Sequence, residues 1–165
     1  SSGAGIEGTA EVYVTQVERF KSDTDTNVNL VKTTILLDLT GLASSGANDI
    51  IGKAGTGVAY IGRVTAVNQG TVFGVTMECL ETPAGGDPDI DLYSATEATG
   101  VEDSAIGDLT ETQIINSSDL AAGTRVAGGT IVADQYLYLV AGSATNADYT
   151  AGRIIITITG YDVAS

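Results

Sequence analysis

Histidine and tryptophan are absent from this 165-residue chain, cysteine and methionine occur once each, and proline occurs twice. Without histidine there is no Ser-His-Asp or Cys-His arrangement and no ordinary general base near neutral pH. The lone Cys79 excludes an internal disulfide and a thiolate metal cluster. Its neighbours place it on a buried strand face, where a thiol acts as a small hydrophobe. Aromatic residues make up only 5% of the chain, which leaves little to stack a sugar on. No Gly-x-Gly-x-x-Gly opens a helix and no Gly-Lys-Ser/Thr phosphate loop occurs, so the glycines read as turn formers.

Basic residues are also scarce. Seven Lys and Arg stand against 21 Asp and Glu, a formal charge of −14 with an isoelectric point near 4.1. Nucleic acids and anionic membrane surfaces draw on clustered Lys and Arg, so both are excluded as partners. The imbalance is uneven. Between Arg63 and Arg125 there is no Lys or Arg, while Glu78, Glu81, Asp87, Asp89, Asp91, Glu97, Glu102, Asp103, Asp108, Glu111 and Asp119 all fall there. One strongly negative side is expected, and solubility is its plainest use. No stretch approaches the ~20 apolar residues of a membrane helix. The start, Ser1 to Gly8, lacks the basic and apolar regions of a secretory signal.

What is present is strand material. Apolar residues make up 43% of the chain and mean hydropathy is +0.19, enough burial to offset the entropy of ordering one domain. Helical periodicity is nearly absent among 21 glycines. Ala10 to Phe20 alternates. Lys32 to Thr40 sets Thr33, Ile35, Leu37 and Leu39 on a core-facing side. Further strands are expected at Gly57–Val67, Thr71–Glu81, Ile90–Ser94, Thr112–Asn116, Gln135–Ala141 and Arg153–Asp162. Asn68-Gln69-Gly70 predicts a hairpin joining the Gly57–Val67 and Thr71–Glu81 strands. On the second of these, Phe73, Val75, Met77 and Cys79 share one face. In the last strand Ile154, Ile156 and Ile158 point inward, and Thr157, Thr159 and Tyr161 outward. Tyr136 and Tyr138 share a face that reads as a half-buried core layer, with an exposed anchor patch as the alternative. Eight or so short strands predict an all-β fold, an antiparallel two-sheet β-sandwich with jelly-roll connectivity favoured. Residues 10–165 form the single domain, behind a Gly-rich N-terminal arm at residues 1–9.

Residues 77–93, Met-Glu-Cys-Leu-Glu-Thr-Pro-Ala-Gly-Gly-Asp-Pro-Asp-Ile-Asp-Leu-Tyr, run from one strand through a Pro/Gly-locked turn into the next. The turn reads as a surface loop. Asp87, Asp89 and Asp91 fall at period two, so extended backbone points them to one side, and Pro88 fixes the intervening φ. Like charges held together need a cation, a partner or water. A hard divalent ion such as Ca²⁺ is the metal these oxygens suit, although the spacing is not that of an EF-hand and a solvated or subunit-facing turn is the plainer reading. Asp23 and Asp25, with Thr24, Thr26 and Asn27, form a second polar loop that reads as solvated. Carboxylate pairs can hydrolyse glycosides, with Glu78, Glu81 and Asp91 as candidates, but nothing else in the chain supports catalysis and a non-enzymatic protein is expected.

Several strings are familiar in order: Leu37-Asp-Leu-Thr-Gly-Leu, Asp49-Ile-Ile-Gly-Lys, Ala59-Tyr-Ile-Gly, the run from Thr76 to Tyr93, Gln135-Tyr-Leu-Tyr-Leu and Tyr149-Thr-Ala-Gly-Arg. Over about residues 35–162 the chain resembles a family of virion structural proteins of marine tailed phages, similar to small capsid decoration or cement proteins. The resemblance implies a protein of the outer surface of the virion that binds the assembled major capsid protein and stiffens the shell, as a homotrimer over a three-fold or quasi-three-fold axis. Under it, the arm residues Ser1, Ser2, Gly3, Ala4, Gly5 and Ile6 are the candidates for capsid contact. A Ca²⁺-dependent glycan-binding adhesion module displayed on the virion is the alternative.

Overall fold

The computed structural model describes residues 12–21, 28–55 and 57–163. The arm residues Ser1 to Ile6 and the Asp23 and Asp25 loop lie outside that range. Strands, numbered in chain order, dominate what is described. Val12–Lys21 (β1), Val28–Asp38 (β2), Thr71–Ala84 (β5), Arg125–Gly128 (β8) and Ala151–Val163 (β11) form one antiparallel sheet in the order β1-β2-β11-β5-β8. Gly62–Val64 (β4), Ile90–Ala95 (β6), Glu111–Ile115 (β7) and Gln135–Ala141 (β9) form a second in the order β4-β9-β6-β7. Ala43–Ser44 (β3) and Ala147–Asp148 (β10) make a short third pair. The fold is all-β.

Alternation decides which side chains meet. Thr33, Ile35 and Leu37 of β2, with Ile154, Ile156 and Ile158 of β11, are buried, as the period-two pattern predicts. Of these, Ile35, Leu37, Ile154, Ile156 and Ile158 share one core cluster with Val75, Met77 and Cys79 of β5 and with Leu92, Leu137 and Leu139 of the second sheet. Each such aliphatic side chain contributes about 1.5–3 kcal/mol by leaving water. A second cluster lies on the other face of β6 and β9, where Tyr93, Ala95, Tyr138 and Val140 pack with Ile50, Ala59 and Ile106. Two segments of loop build that cover, joined where the Ala59 N–H donates to the Gly100 carbonyl (2.8 Å) and the Ile50 N–H to the Ser104 carbonyl (2.9 Å). Tyr138 is fully buried there, and its hydroxyl donates to the Glu97 carbonyl (2.7 Å) and accepts from the Gly100 N–H (3.2 Å). Tyr136 is half-buried, edge-on to Tyr60 with ring centroids 4.9 Å apart.

Two expectations fail for local reasons. No hairpin joins residues 57–67 to residues 71–81, because β4 and β5 belong to different sheets. Between them Ala66–Gln69 (α1) forms a single helical turn: the Thr65 hydroxyl caps it by accepting from the Asn68 N–H (3.2 Å), and Gly70 at φ 66° ends it. Phe73 does not share the buried face of Val75 and Met77 but is 56% exposed. A bulge explains it, since Gly74 and Val72 pair with the consecutive Thr159 and Gly160, and the extra residue, Phe73, turns out to meet the Tyr161 ring at 6.3 Å.

Candidate functional site

The Asp87 to Asp91 turn carries the chain from β5 in one sheet to β6 in the other. Gly85 adopts φ 89° at its start. Gly86 then lies so close under the Tyr149 ring that a Cβ there would meet ring atoms at 2.7 Å. The turn is not the surface loop that the sequence suggests, because Asp87 is fully buried and Asp91 is 5% exposed.

Burial of a carboxylate requires donors, and Asp87 has three. Its Oδ1 accepts from the Asp89 N–H (3.0 Å) and the Ser143 hydroxyl (2.7 Å), and its Oδ2 accepts from the Ser143 N–H (2.9 Å). Its backbone is held as well: the Asp87 N–H donates to Ser44 Oγ (2.8 Å), and the Tyr149 hydroxyl donates to the Asp87 carbonyl (2.6 Å). Ser44 in turn donates to the Thr145 carbonyl (2.6 Å). One aspartate therefore clasps the β5–β6 turn, β3, the segment after β9 and Tyr149 into a single polar knot. Asp91 is anchored separately, its Oδ1 accepting from the Ser117 N–H (2.8 Å) and its Oδ2 from Gln113 Nε2 (3.1 Å).

Asp89 is the ill-served member. Its Oδ1 is buried without a partner, and a Cβ on Gly142 would land on its carboxyl group. Burial pushes its pKa up, and the neighbouring charges of Asp91, Asp87 and Asp119 push it further, against a hydrogen bond from Ser117. Burial also raises Asp91, partly offset by the Ser117 N–H and Gln113, with the Asp87 charge adding to the rise. Tyr149 is raised by burial, opposed by its hydrogen bond with Ser44 and reinforced by the charges of Asp87 and Asp89, so it stays a neutral donor.

The three aspartates are thus brought together, but the Asp87 and Asp91 oxygens that a Ca²⁺ ion would take are held by protein donors. Among the described residues no group of three or more Cys, Asp or Glu converges so as to hold a metal ion. The other carboxylates singled out by sequence lie apart from them. Glu78 pairs with Arg125 at 3.3 Å, and Glu81 accepts from the Gly152 N–H (2.8 Å) and pairs with Arg153 at 3.3 Å, all on the first sheet. Sequence reasoning missed Ser143, Ser44 and Ser117, which carry no local signal. It also gave no role to Tyr149, although the string Tyr149-Thr-Ala-Gly-Arg stands out. Compared with known proteins, the chain matches no family model, no curated protein and no solved structure.

Proposed function

We propose that this chain is a non-enzymatic structural protein of a virus particle, a decoration or cement protein that binds the outside of the assembled major capsid protein shell and stabilises it. The observation that carries the reading is strand order, taken together with the familiar strings between Leu37 and Arg153. Setting aside the edge strand β1 and the two-residue β3 and β10, the remaining strands in chain order are β2, β4, β5, β6, β7, β8, β9 and β11. One sheet then runs first-eighth-third-sixth and the other second-seventh-fourth-fifth. That interleaving supports a jelly-roll β-sandwich, an architecture used by viral capsid and lectin domains alike. Architecture alone assigns no function, and the strings favour the capsid. A domain pinned by two apolar clusters and a buried polar knot suits a part that must hold its shape while many weak contacts add up on a repeating lattice.

Mixing the purified protein with shells stripped of it tests the proposal. High-copy binding and protection of the shells against heat or osmotic shock are expected. Presence in infected-cell lysate together with absence from purified particles would overturn it.

A further inference from the structure

The two main sheets differ in what covers them. The outer face of β6 and β9 is roofed by the chain's own loops, whereas the outward side chains at the middle of β2, β5 and β11, namely Thr34, Leu36, Thr76, Ile155, Thr157 and Thr159, all keep part of their surface in solvent. The outward face of the five-stranded sheet is therefore open among the described residues. Its centre is a row of threonines in register, Thr34, Thr157 and Thr76, flanked by Leu36 opposite Ile155. At one end Leu30 stands opposite Tyr161, with Phe73 turned out beside it, and these three are 48%, 40% and 56% exposed.

Charge separates this face from the rest of the molecule. The described charges on it are Lys32, Arg125 and Arg153 against Asp38, Glu78 and Glu81, and ion pairs join Arg125 to Glu78 and Arg153 to both Asp38 and Glu81. Among these described side chains cations and acids balance, against a net charge of −14 for the whole chain. The size is also right. Four strands of ten or more residues, about 4.8 Å apart and at least ~33 Å long, with the four-residue β8 at one edge, cover roughly 700 Å². That is close to the roughly 800 Å² that each partner contributes to a standard stable interface.

We propose that this face is a self-association surface, on which a second copy of the chain packs sheet to sheet across a two-fold axis. The occupant follows from the charge. A cationic partner is drawn to the acidic surfaces, whereas two copies of so acidic a protein repel each other everywhere except where the surface is neutral. A Thr, Leu and Ile face is complementary to itself, as an isologous contact requires, and two such sheets pack about 10 Å apart. The inference goes beyond the capsid reading and does not depend on it, since it is read in solution without shells.

Sedimentation equilibrium of the full chain over a concentration series tests it. Mass is expected to rise from the 16.7 kDa protomer to twice that value, and added salt is expected to tighten the dimer by screening the acidic repulsion. Thr157→Lys sets like charges against each other near the axis and is expected to weaken the dimer at least about tenfold, while its circular-dichroism melt stays near the wild-type one because Thr157 is only half-buried. A second variant, Thr157→Cys, is expected to form a disulfide-linked dimer on oxidation, with the buried Cys79 of the wild type staying unlinked as control. A monomer at every concentration, a trimer, or a dimer indifferent to Thr157→Lys and not cross-linked through Thr157→Cys overturns the proposal. So does a monomer that uses this face only to bind shells.

Discussion

Asp87→Ala removes the acceptor of three hydrogen bonds at once, those from the Asp89 N–H, the Ser143 N–H and the Ser143 hydroxyl. The hydroxyl can rotate to another acceptor, but the two N–H groups cannot. Leaving a donor unsatisfied in a dry site costs about 1–3 kcal/mol. Both N–H groups are only partly buried, which puts the pair at about 2–4 kcal/mol. Against this, removing one negative charge relieves Asp89 and Asp91, whose pKa values Asp87 raises; for charges near the surface that returns about 1 kcal/mol. The net loss is about 2–3 kcal/mol, or a fall in Tm of roughly 5–10 °C for a domain of this size. Differential scanning calorimetry at neutral pH reads it directly. Asp87→Asn keeps one carbonyl acceptor but turns an NH₂ toward a donor, so its Tm is expected between the other two. If Asp87→Ala melts within about 1 °C of the wild type, the polar knot does not hold the turn and the reasoning fails.

Asp89 and Asp91 titrate in the sense opposite to a stabilising carboxylate. Because their folded pKa values are raised, they weaken the fold at neutral pH, and that penalty is relieved as pH falls through the raised values toward the ordinary 3.8. Asp89→Asn is expected to raise Tm at neutral pH and to flatten this gain on acidification, and thermal melts of both proteins from pH 7 to 4 check it. Asp38, lowered chiefly by the Thr40 N–H, contributes stability that is lost only on going below 3.8, and so does not mask the effect. Tyr138→Phe strips the Glu97 carbonyl and the Gly100 N–H of their partner, and a loss of about 1–3 kcal/mol is expected by urea denaturation. Gly86→Ala drives a methyl into the Tyr149 ring and is expected to cost about 1–3 kcal/mol, whereas Gly129→Ala, with open space around it, is expected to be near neutral in the same assay.

The strands that alternate cleanly were legible. β2 and β11 bury the set that their period-two pattern marks, and β9 runs over the same seven residues in pattern and structure, Gln135 to Ala141. What was misread turned on single residues. At Gly70 the same Asn-Gln-Gly string that can close a hairpin ends a helical turn, because Thr65 supplies a cap. At Phe73 a one-residue bulge inverts the facing of the strand's end. β3, β8 and β10 are two to four residues long, too short for any period to register. The acidic turn was misread for a different reason. Its alternating aspartates are visible in sequence, but the hydrogen-bond partners that hold Asp87 in place lie 43, 56 and 62 positions away, at Ser44, Ser143 and Tyr149. Local chemistry says only that three carboxylates need company, and tertiary structure decides whether that company is water, an ion or the chain's own hydroxyl and amide groups.

The sequence does distinguish the two sheets once the roof over one of them is known. β9 reads Tyr-Leu-Tyr-Leu-Val-Ala without a charge because both of its faces are buried. β11 reads Arg-Ile-Ile-Ile-Thr-Ile-Thr-Gly-Tyr and has one buried face. The outward positions at the middle of β11 and its neighbours are Thr34, Leu36, Thr76, Ile155, Thr157 and Thr159, with Lys32 opposite Thr159 and Glu78 opposite Ile155. A strand with one face in water ordinarily carries polar side chains at its outward positions, which the threonines satisfy and Leu36 and Ile155 do not. Solubility alone does not call for the apolar pair Leu36 and Ile155. An interface does, because charged residues are depleted from the centre of an interface and tolerated at its rim.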